Sequence, residues 1–471
     1  MYFMEKYVII GVYNFERFEI MSNSRSNFSS KLGFVLATAG SAVGLGNIWR
    51  FPYLAAKHGG GMFLLTYLIL VITFGFALAC AEILIGRKTG QSAINAFSTL
   101  SKKWGFVGWF AALVPVIILP YYSVIGGWIF KYLFAFISGQ ATATADDGYF
   151  VDFIGKVGSP LGWFLLFIGI TALIVLFGVE KGIEKASKIM MPVLVVLTLV
   201  IAVYSACMPG AWEGVLYYIT PDFSHFSVTT VLAAMGQLFY SMSLAMGIMI
   251  TYGSYMKKDV NVSSSVHQVE IFDTGIAFLA GLMVVPAVFS FSGGSEEALS
   301  KGPSLMFITL PKVFESMPGG TVIGIIFFLM VLFAALTSSI SLMETVVSVV
   351  QDKFKLNRKI TCLIVFAGSV ILGIPSSLGN GIWANIKIFG FAFLDFFDFI
   401  SNSVLMPIVA LLTCIFIGYV IKPKTLIEEA EASAQFKEKK LFSVIIKYIA
   451  PICIILILGF SVLEAFGIVK V

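Results

Sequence analysis

Apolar positions in this chain come in long unbroken runs rather than alternating with polar ones. Eleven runs lie near 32–57, 61–86, 105–137, 160–178, 186–208, 229–256, 266–291, 321–350, 360–375, 389–418 and 446–468. A helix of about 20 apolar residues crosses the hydrocarbon core of a bilayer, so each run predicts a transmembrane span. The polar connections are short. The longest are 292–320, rich in glycine and proline, and 425–440, where Glu428, Glu429 and Glu431 precede Lys437, Lys439 and Lys440 and predict a short solvated helix. Composition fits this pattern: 58% of residues are hydrophobic and 12% charged, against about 25% charged in soluble domains. A water-soluble enzyme and a disordered chain are both excluded. The expected fold is an all-α polytopic membrane protein.

Charge orients the spans. With the N-terminus in the cytoplasm, 23 of the 31 lysines and arginines fall in inner segments and seven in outer ones, with Arg50 inside the first run. Positive residues favour the cytoplasmic side and face its anionic lipid. The expectation is a plasma (inner) membrane protein with its N-terminus inside and, after eleven spans, its C-terminus outside. Residues 1–20 match no recognisable feature, so Met1 and Met21 both stand as candidate starts; no signal peptide is expected. The five cysteines form no CxxC and the three histidines are far apart, so neither disulfides nor a transition-metal site nor an organic cofactor is expected.

Two runs are not clean helices. The first contains Ala39-Gly40-Ser41-Ala42-Val43-Gly44-Leu45-Gly46-Asn47-Ile48-Trp49-Arg50-Phe51-Pro52. Three glycines weaken a helix interior, and Asn47 and Arg50 are polar groups at membrane depth, where they are costly and usually functional. Close helix packing through Gly40-x-x-x-Gly44 explains the glycines but not Asn47 or Arg50. The sixth run contains Gly236-Gln237-Leu238-Phe239-Tyr240-Ser241-Met242-Ser243-Leu244-Ala245-Met246-Gly247. Non-helical backbone survives in lipid only when buried or lining a cavity. Interrupted runs five apart imply two five-span repeats, and an odd repeat enters from opposite sides. This inverted plan places a site where the broken helices meet. The expected organisation is a cytoplasmic segment 1–31, repeats 32–210 and 211–421, a cytoplasmic loop 422–445, and an extra span with the C-terminus at 446–471.

Gly44 to Tyr53 followed by Gly59-Gly60-Gly61, Gly302-Pro303-Ser304-Leu305 with Phe307-Ile308-Thr309-Leu310-Pro311, and Leu336-Thr337-Ser338-Ser339 together resemble signatures of the neurotransmitter:sodium symporters. The chain looks like a bacterial, leucine-transporter-like amino-acid:sodium symporter of that family. The resemblance implies two sodium sites. One takes the Ala42 carbonyl with Asn47, Ser241 and Asp273; the other takes carbonyls of Gly40, Val43 and Ala334 with hydroxyls of Thr337 and Ser338. Thr337 and Ser338 alternatively bond back to their own helix.

The resemblance also implies that an amino-acid carboxylate meets the amides of Leu45 and Gly46 and the Tyr122 hydroxyl, and that the amine meets carbonyls near Ala42, Phe239 and Ser241. Ile118, Tyr240, Ser243, Met246, Ser339 and Leu342 would line the side-chain pocket. Tyr122 and Met246 are alternatively ordinary core residues. Gly44 stands where monoamine carriers hold an aspartate, which favours a carboxylate-bearing substrate, and the apolar lining favours a large hydrophobic or aromatic one. Asp273 stands where many relatives carry Asn, which implies chloride-independent transport; a solvated, inert Asp273 is the bland alternative. The implied gates are Arg50 with Asp398 outside, under a lid of Tyr122 and Tyr240, and Arg25 with Asp352 inside, near Tyr255. Arg25 is alternatively plain inner-leaflet charge, and Phe28 replaces the usual tryptophan. A proton-coupled carrier of the same architecture is the rival reading. No span core holds a histidine, and Gly44-x-Gly46 lacks the third glycine of a dinucleotide fingerprint, so an enzyme is not expected.

Overall fold

The computed structural model describes residues 27–292 and 303–466. Among them, nine helices are long and apolar enough to cross a bilayer: Gly61–Thr89, Lys102–Ile137, Gly158–Leu176, Val179–Ala206, Val262–Phe291, Gly320–Phe354, Arg358–Leu378, Phe393–Val420 and Lys439–Leu463. A tenth span is the pair Lys31–Ala42 and Gly46–Lys57, bent by 55° at its break. The remaining predicted span is also divided, into Val228–Ser241 and Ile248–Ser254, each too short to cross alone. We number these eleven segments as spans 1–11 in chain order. The broken ones are spans 1 and 6, as the inverted five-plus-five plan requires.

Local chemistry sets the helix ends. Ser30 opens span 1 by accepting a hydrogen bond from the Gly33 N–H, and Asn357 caps span 9 through the Ile360 N–H. Each satisfies one of the amides a helix N-terminus leaves unpaired. Spans 4 and 11 are only about one-third buried over their apolar windows, whereas span 3 is 78% buried. The former are the peripheral, lipid-facing helices; spans 1, 3, 6 and 8 form the interior. From Ala334 to Val349 every side chain of span 8 is buried. The outer connection before span 8 is helical over Leu305–Thr309 and Leu310–Ser316; residues 293–302 of it lie outside the described residues.

Lysines and arginines gather at one end of the bundle. There Lys31 Nζ donates to Ser264 (2.9 Å), Lys257 Nζ to the Ser29 carbonyl (2.9 Å) and Lys258 Nζ to the Arg87 carbonyl (2.8 Å). The polar 425–440 stretch does form a helix, Pro423–Glu431, but it is not simply solvated: Leu426, Glu429 and Ala430 are buried. The cause is Arg87 at the end of span 2. Its buried guanidinium donates to Glu429 Oε1 (3.0 Å), the Glu429 carbonyl, the Val260 carbonyl (2.8 Å) and Ser433 Oγ (3.2 Å). A buried arginine persists when its donors are matched in this way.

Arg87→Met leaves Glu429 with only the exposed Lys258. It should destabilise the protein by about 3–5 kcal/mol, read from thermal or denaturant unfolding in detergent. A loss near zero would mean that this network adds nothing to stability.

Candidate substrate and ion site

The first helix stops because its next residues cannot continue it. Val43 is extended (φ −71°, ψ 99°), and helical turns resume only at Gly46. Asn47 Oδ1 bridges the gap by accepting from the Gly44 N–H at 3.1 Å. The glycines serve close approach, though to side chains lining the site. A Cβ on Gly44 would lie 2.8 Å from Ser338 Oγ and 3.3 Å from the Tyr122 hydroxyl, and one on Gly46 would lie 2.4 Å from the Tyr240 ring.

Span 6 breaks harder. Ser243, Ala245 and Gly247 have φ of 52°, 61° and 71°, and such backbone costs about 1–3 kcal/mol per non-glycine residue. Three bonds hold it. The Ala245 N–H donates to Glu82 Oε1 at 2.7 Å, Ser243 Oγ donates to the Ser41 carbonyl at 2.9 Å, and Ser41 Oγ donates to Ser243 Oγ at 3.1 Å. The last two join one helix break to the other.

Between the breaks lies a cavity of about 30 Å³, room for a water or two. Of the residues expected at the substrate, Ala42, Leu45, Gly46, Ile118, Tyr122, Tyr240, Ser243, Met246 and Leu342 line it, joined by Ser41, Gly44, Asn47, Ile248 and Ser338. The Tyr122 hydroxyl is buried and makes no hydrogen bond among the described residues. Three expected residues do not line it. Ser339 faces span 4, where its Oγ meets Thr171 Oγ1 at 3.0 Å. The Phe239 ring packs on Phe74, and its carbonyl accepts from the Leu244 N–H. Ser241 belongs to the neighbouring carboxylate network.

That network unites three of the four residues expected at the first ion site. Asp273 Oδ1 accepts from Asn47 Nδ2 and Ser241 Oγ, both at 2.8 Å, and Oδ2 accepts from the Tyr67 hydroxyl at 3.1 Å. Asp273 is therefore fully buried within the bundle rather than solvated. Ala42, the fourth, lines the adjoining cavity. At the second expected site Ser338 Oγ approaches the carbonyls of Gly40, Ser41 and Val43 at 3.4, 3.1 and 3.3 Å. Thr337 instead bonds back to Phe333 and Ala334 of its own helix, while its side chain stands 3.1 Å from where a Gly40 Cβ would be.

The gate residues are only partly joined. Arg50 lies over the Tyr240 ring, 5.6 Å from its centre, and makes no ion pair with Asp398 among the described residues. Asp398 is held instead by the Tyr121 hydroxyl (3.2 Å) and Asn402 Nδ2 (2.7 Å). At the lysine-rich end, Asp352 Oδ2 accepts from the Ser92 N–H. The Tyr255 hydroxyl donates to Glu344 Oε1 at 2.7 Å, and Glu344 in turn pairs with Arg358. Phe28 is buried edge-on against Tyr252 and Tyr255. Arg25 lies outside the described residues. Sequence reasoning missed Ser41, Tyr67, Glu82, Tyr121, Glu344, Arg358 and Asn402. Glu82 and Glu344 had a signal, a carboxylate inside an apolar run, and Asn402 had a weaker one, an amide at the same depth; the others had none.

Gly46→Ala should abolish sodium-dependent uptake while the protein still reaches the membrane, because its methyl meets the Tyr240 ring. Ser339→Ala should leave substrate preference unchanged, since that hydroxyl points away. A change of substrate preference in Ser339→Ala would contradict this geometry.

Comparison with known proteins agrees with the architecture. The profile of the Sodium:neurotransmitter symporter family matches residues 25–145 and 147–468. An uncharacterised sodium-dependent transporter of Bacillus subtilis (strain 168) is 36% identical over 441 residues, covering 91% of this chain and 96% of that protein. A similar transporter of Haemophilus influenzae is 33% identical over 452 residues, covering 93% and 98%. The crystal structure of MhsT in complex with L-phenylalanine superposes with a TM-score of 0.84 at 39% identity, over 93% of this chain and all of that one. The chain therefore belongs to the sodium:neurotransmitter symporter family, and it is a sodium-dependent, multi-pass membrane transporter rather than an enzyme.

Proposed function

We propose that the protein takes up an amino acid with a large hydrophobic or aromatic side chain by sodium symport, without chloride, through alternating access. The observation that carries this reading is Asp273: a carboxylate fully buried in a membrane bundle, among oxygen-bearing side chains, with no cationic side chain paired to it among the described residues. A buried charge needs a countercharge, and a sodium ion supplies it. The same carboxylate provides the negative charge that an anion would otherwise bring, so chloride is not needed. The similarity to sodium-dependent transporters of Bacillus subtilis and Haemophilus influenzae favours sodium coupling over the proton-coupled alternative.

In this reading the first ion sits among the Ala42 carbonyl, Asn47, Ser241 and Asp273. Asn47 Oδ1 accepts from the Gly44 N–H at 3.1 Å and keeps a second lone pair to offer a cation. The second ion sits among Gly40, Val43, Ala334, Thr337 and Ser338. Substrate carboxylate binds the amides at Leu45 and Gly46, at the positive start of the second half of span 1, and the unpartnered Tyr122 hydroxyl donates to it. Gly44 leaves the room that carboxylate needs. Ile118, Tyr240, Met246, Ile248 and Leu342 take the side chain. Met246 is the adaptable wall, because methionine has three rotatable bonds and the cavity must widen around a bound amino acid. L-Phenylalanine in the MhsT complex supports this substrate class.

The lysine-rich end is the cytoplasmic one. There Phe28, Tyr255 and Asp352 close the inner pathway, with Arg25 as the remaining gate residue. At the opposite end Arg50 and Asp398 approach each other as the outer pathway closes, beneath Tyr122 and Tyr240. Each sodium ion entering down 100 mV and a tenfold gradient provides about 2.3 and 1.4 kcal/mol. Two ions with one zwitterion thus supply roughly 7 kcal/mol for accumulation.

Tracer uptake across a panel of amino acids in proteoliposomes should be lost when choline replaces sodium and kept when gluconate replaces chloride. Loss in gluconate would refute chloride independence, and uptake driven by a proton gradient in choline would establish the rival reading. Thr337→Ala should raise the sodium concentration for half-maximal uptake severalfold; an unchanged sodium activation curve would count against the second ion site.

A further inference from the structure

A cavity far larger than the central one lies at the side of the bundle. It is a groove of about 740 Å³ between spans 2 and 7. Gly61 and Pro221 mark one end of it and His267 the other. Its walls are apolar, and Leu68, Ile72, Ile271 and Phe278 are exposed along it, so it opens onto hydrocarbon.

Two polar atoms in the groove do not fit a purely apolar tenant. Glu270 is 3% exposed. Its Oε2 meets His267 Nδ1 at 2.8 Å, but its Oε1 is buried with no partner among the described residues. Thr274 follows one turn later. A threonine in a helix ordinarily bonds back to its own backbone, yet its Oγ1 is also buried and unpartnered among the described residues. Buried polar atoms are rarely left unmatched, so these two call for a donor from outside the chain.

Depth narrows the source. Span 7 begins at Val262 and its apolar helix runs to Phe291, roughly 45 Å at 1.5 Å per residue against a hydrocarbon core of about 30 Å. Glu270 therefore sits just inside the hydrocarbon edge at the lysine-rich end. A lipid head group reaches that depth while its chain runs up the groove.

We propose that this groove is a regulatory site for a membrane lipid with an N–H-donating head group, an aminophospholipid. Its ammonium meets Glu270 Oε1 and the Thr274 hydroxyl, and its acyl chain lies between spans 2 and 7. A quaternary choline has no N–H and does not satisfy the pair. The groove also touches the ion site through a shared wall. Tyr67 lines it and donates to Asp273 Oδ2 at 3.1 Å, and Phe51, from the second half of span 1, packs edge-on against Tyr67 with ring centres 4.9 Å apart. Lipid in the groove holds Tyr67 against Asp273 and so raises affinity for sodium; this last step rests on the sodium site proposed above.

The test uses the full chain. By native mass spectrometry in detergent, wild type should retain added phosphatidylethanolamine in preference to phosphatidylcholine of the same chains. A Cβ added at Gly275 meets nothing within 4 Å, so Gly275→Leu has open space in which to project into the groove, and it should lose that retention. Thr274→Val and Glu270→Gln should each weaken it. In nanodiscs, replacing phosphatidylcholine by phosphatidylethanolamine should lower the sodium concentration for half-maximal thermal stabilisation at least about fivefold, and Gly275→Leu should erase the difference. Equal retention of the two lipids, a Gly275→Leu protein that behaves as wild type, or a groove closed by a second copy of the chain that Gly275→Leu dissociates would each overturn the proposal. Neither readout involves the amino-acid substrate, so their failure is separate from failure of the transport reading.

Discussion

Hydrocarbon offers no hydrogen bonds, so every backbone amide and carbonyl at membrane depth must find a partner within the protein. This chain breaks two helices at that depth and depends on side chains to make good what the breaks release. Glu82 takes the Ala245 amide, Ser243 takes the Ser41 carbonyl, Asn47 takes the Gly44 amide and Gln237 reaches the Gly46 carbonyl at 3.1 Å. The breaks are tolerable only in the interior, which is why spans 1 and 6 are enclosed while spans 4 and 11 face lipid. The oxygens gathered at the breaks are those of the proposed ion sites: the Gly40 and Val43 carbonyls that Ser338 approaches, and the Asp273 carboxylate that Ser241 reaches.

Much of this is legible in residue order alone. Glycines, an asparagine and an arginine inside an apolar run are anomalies that lipid does not tolerate without a reason, and they mark span 1 as broken. Span 6 carries a weaker mark, hydroxyl residues at mid-depth, and its strained backbone at Ser243 and Ala245 has no counterpart in residue type. Which way a helical side chain faces is harder to read. Thr337, Ser338 and Ser339 are consecutive and therefore point about 100° apart. One turns back on its own helix, one reaches the carbonyls of span 1, and one meets Thr171 of span 4. A motif gives the span but not the face.

Partners distant in sequence are the least legible. Glu429 looks like one acid among several in a polar linker until Arg87, 342 residues away, is placed beside it. Asp398 reads as a partner for Arg50, yet it is held by Asn402, one helical turn along its own span, and by Tyr121, a tyrosine that nothing in its run singles out. Arg50 meanwhile rests on the Tyr240 ring, where a cation is attracted by the aromatic face. Tyr240, under Arg50, also lines the central cavity, which at about 30 Å³ must widen before the proposed amino acid can enter.

Amide hydrogen exchange with and without sodium tests the central claim most directly. If the broken segments 40–47 and 242–247 are cation-binding backbone, sodium should slow exchange there selectively, potassium should not, and the flanking helices should change little. Exchange in these segments that is slow without sodium, or indifferent to it, would contradict the account.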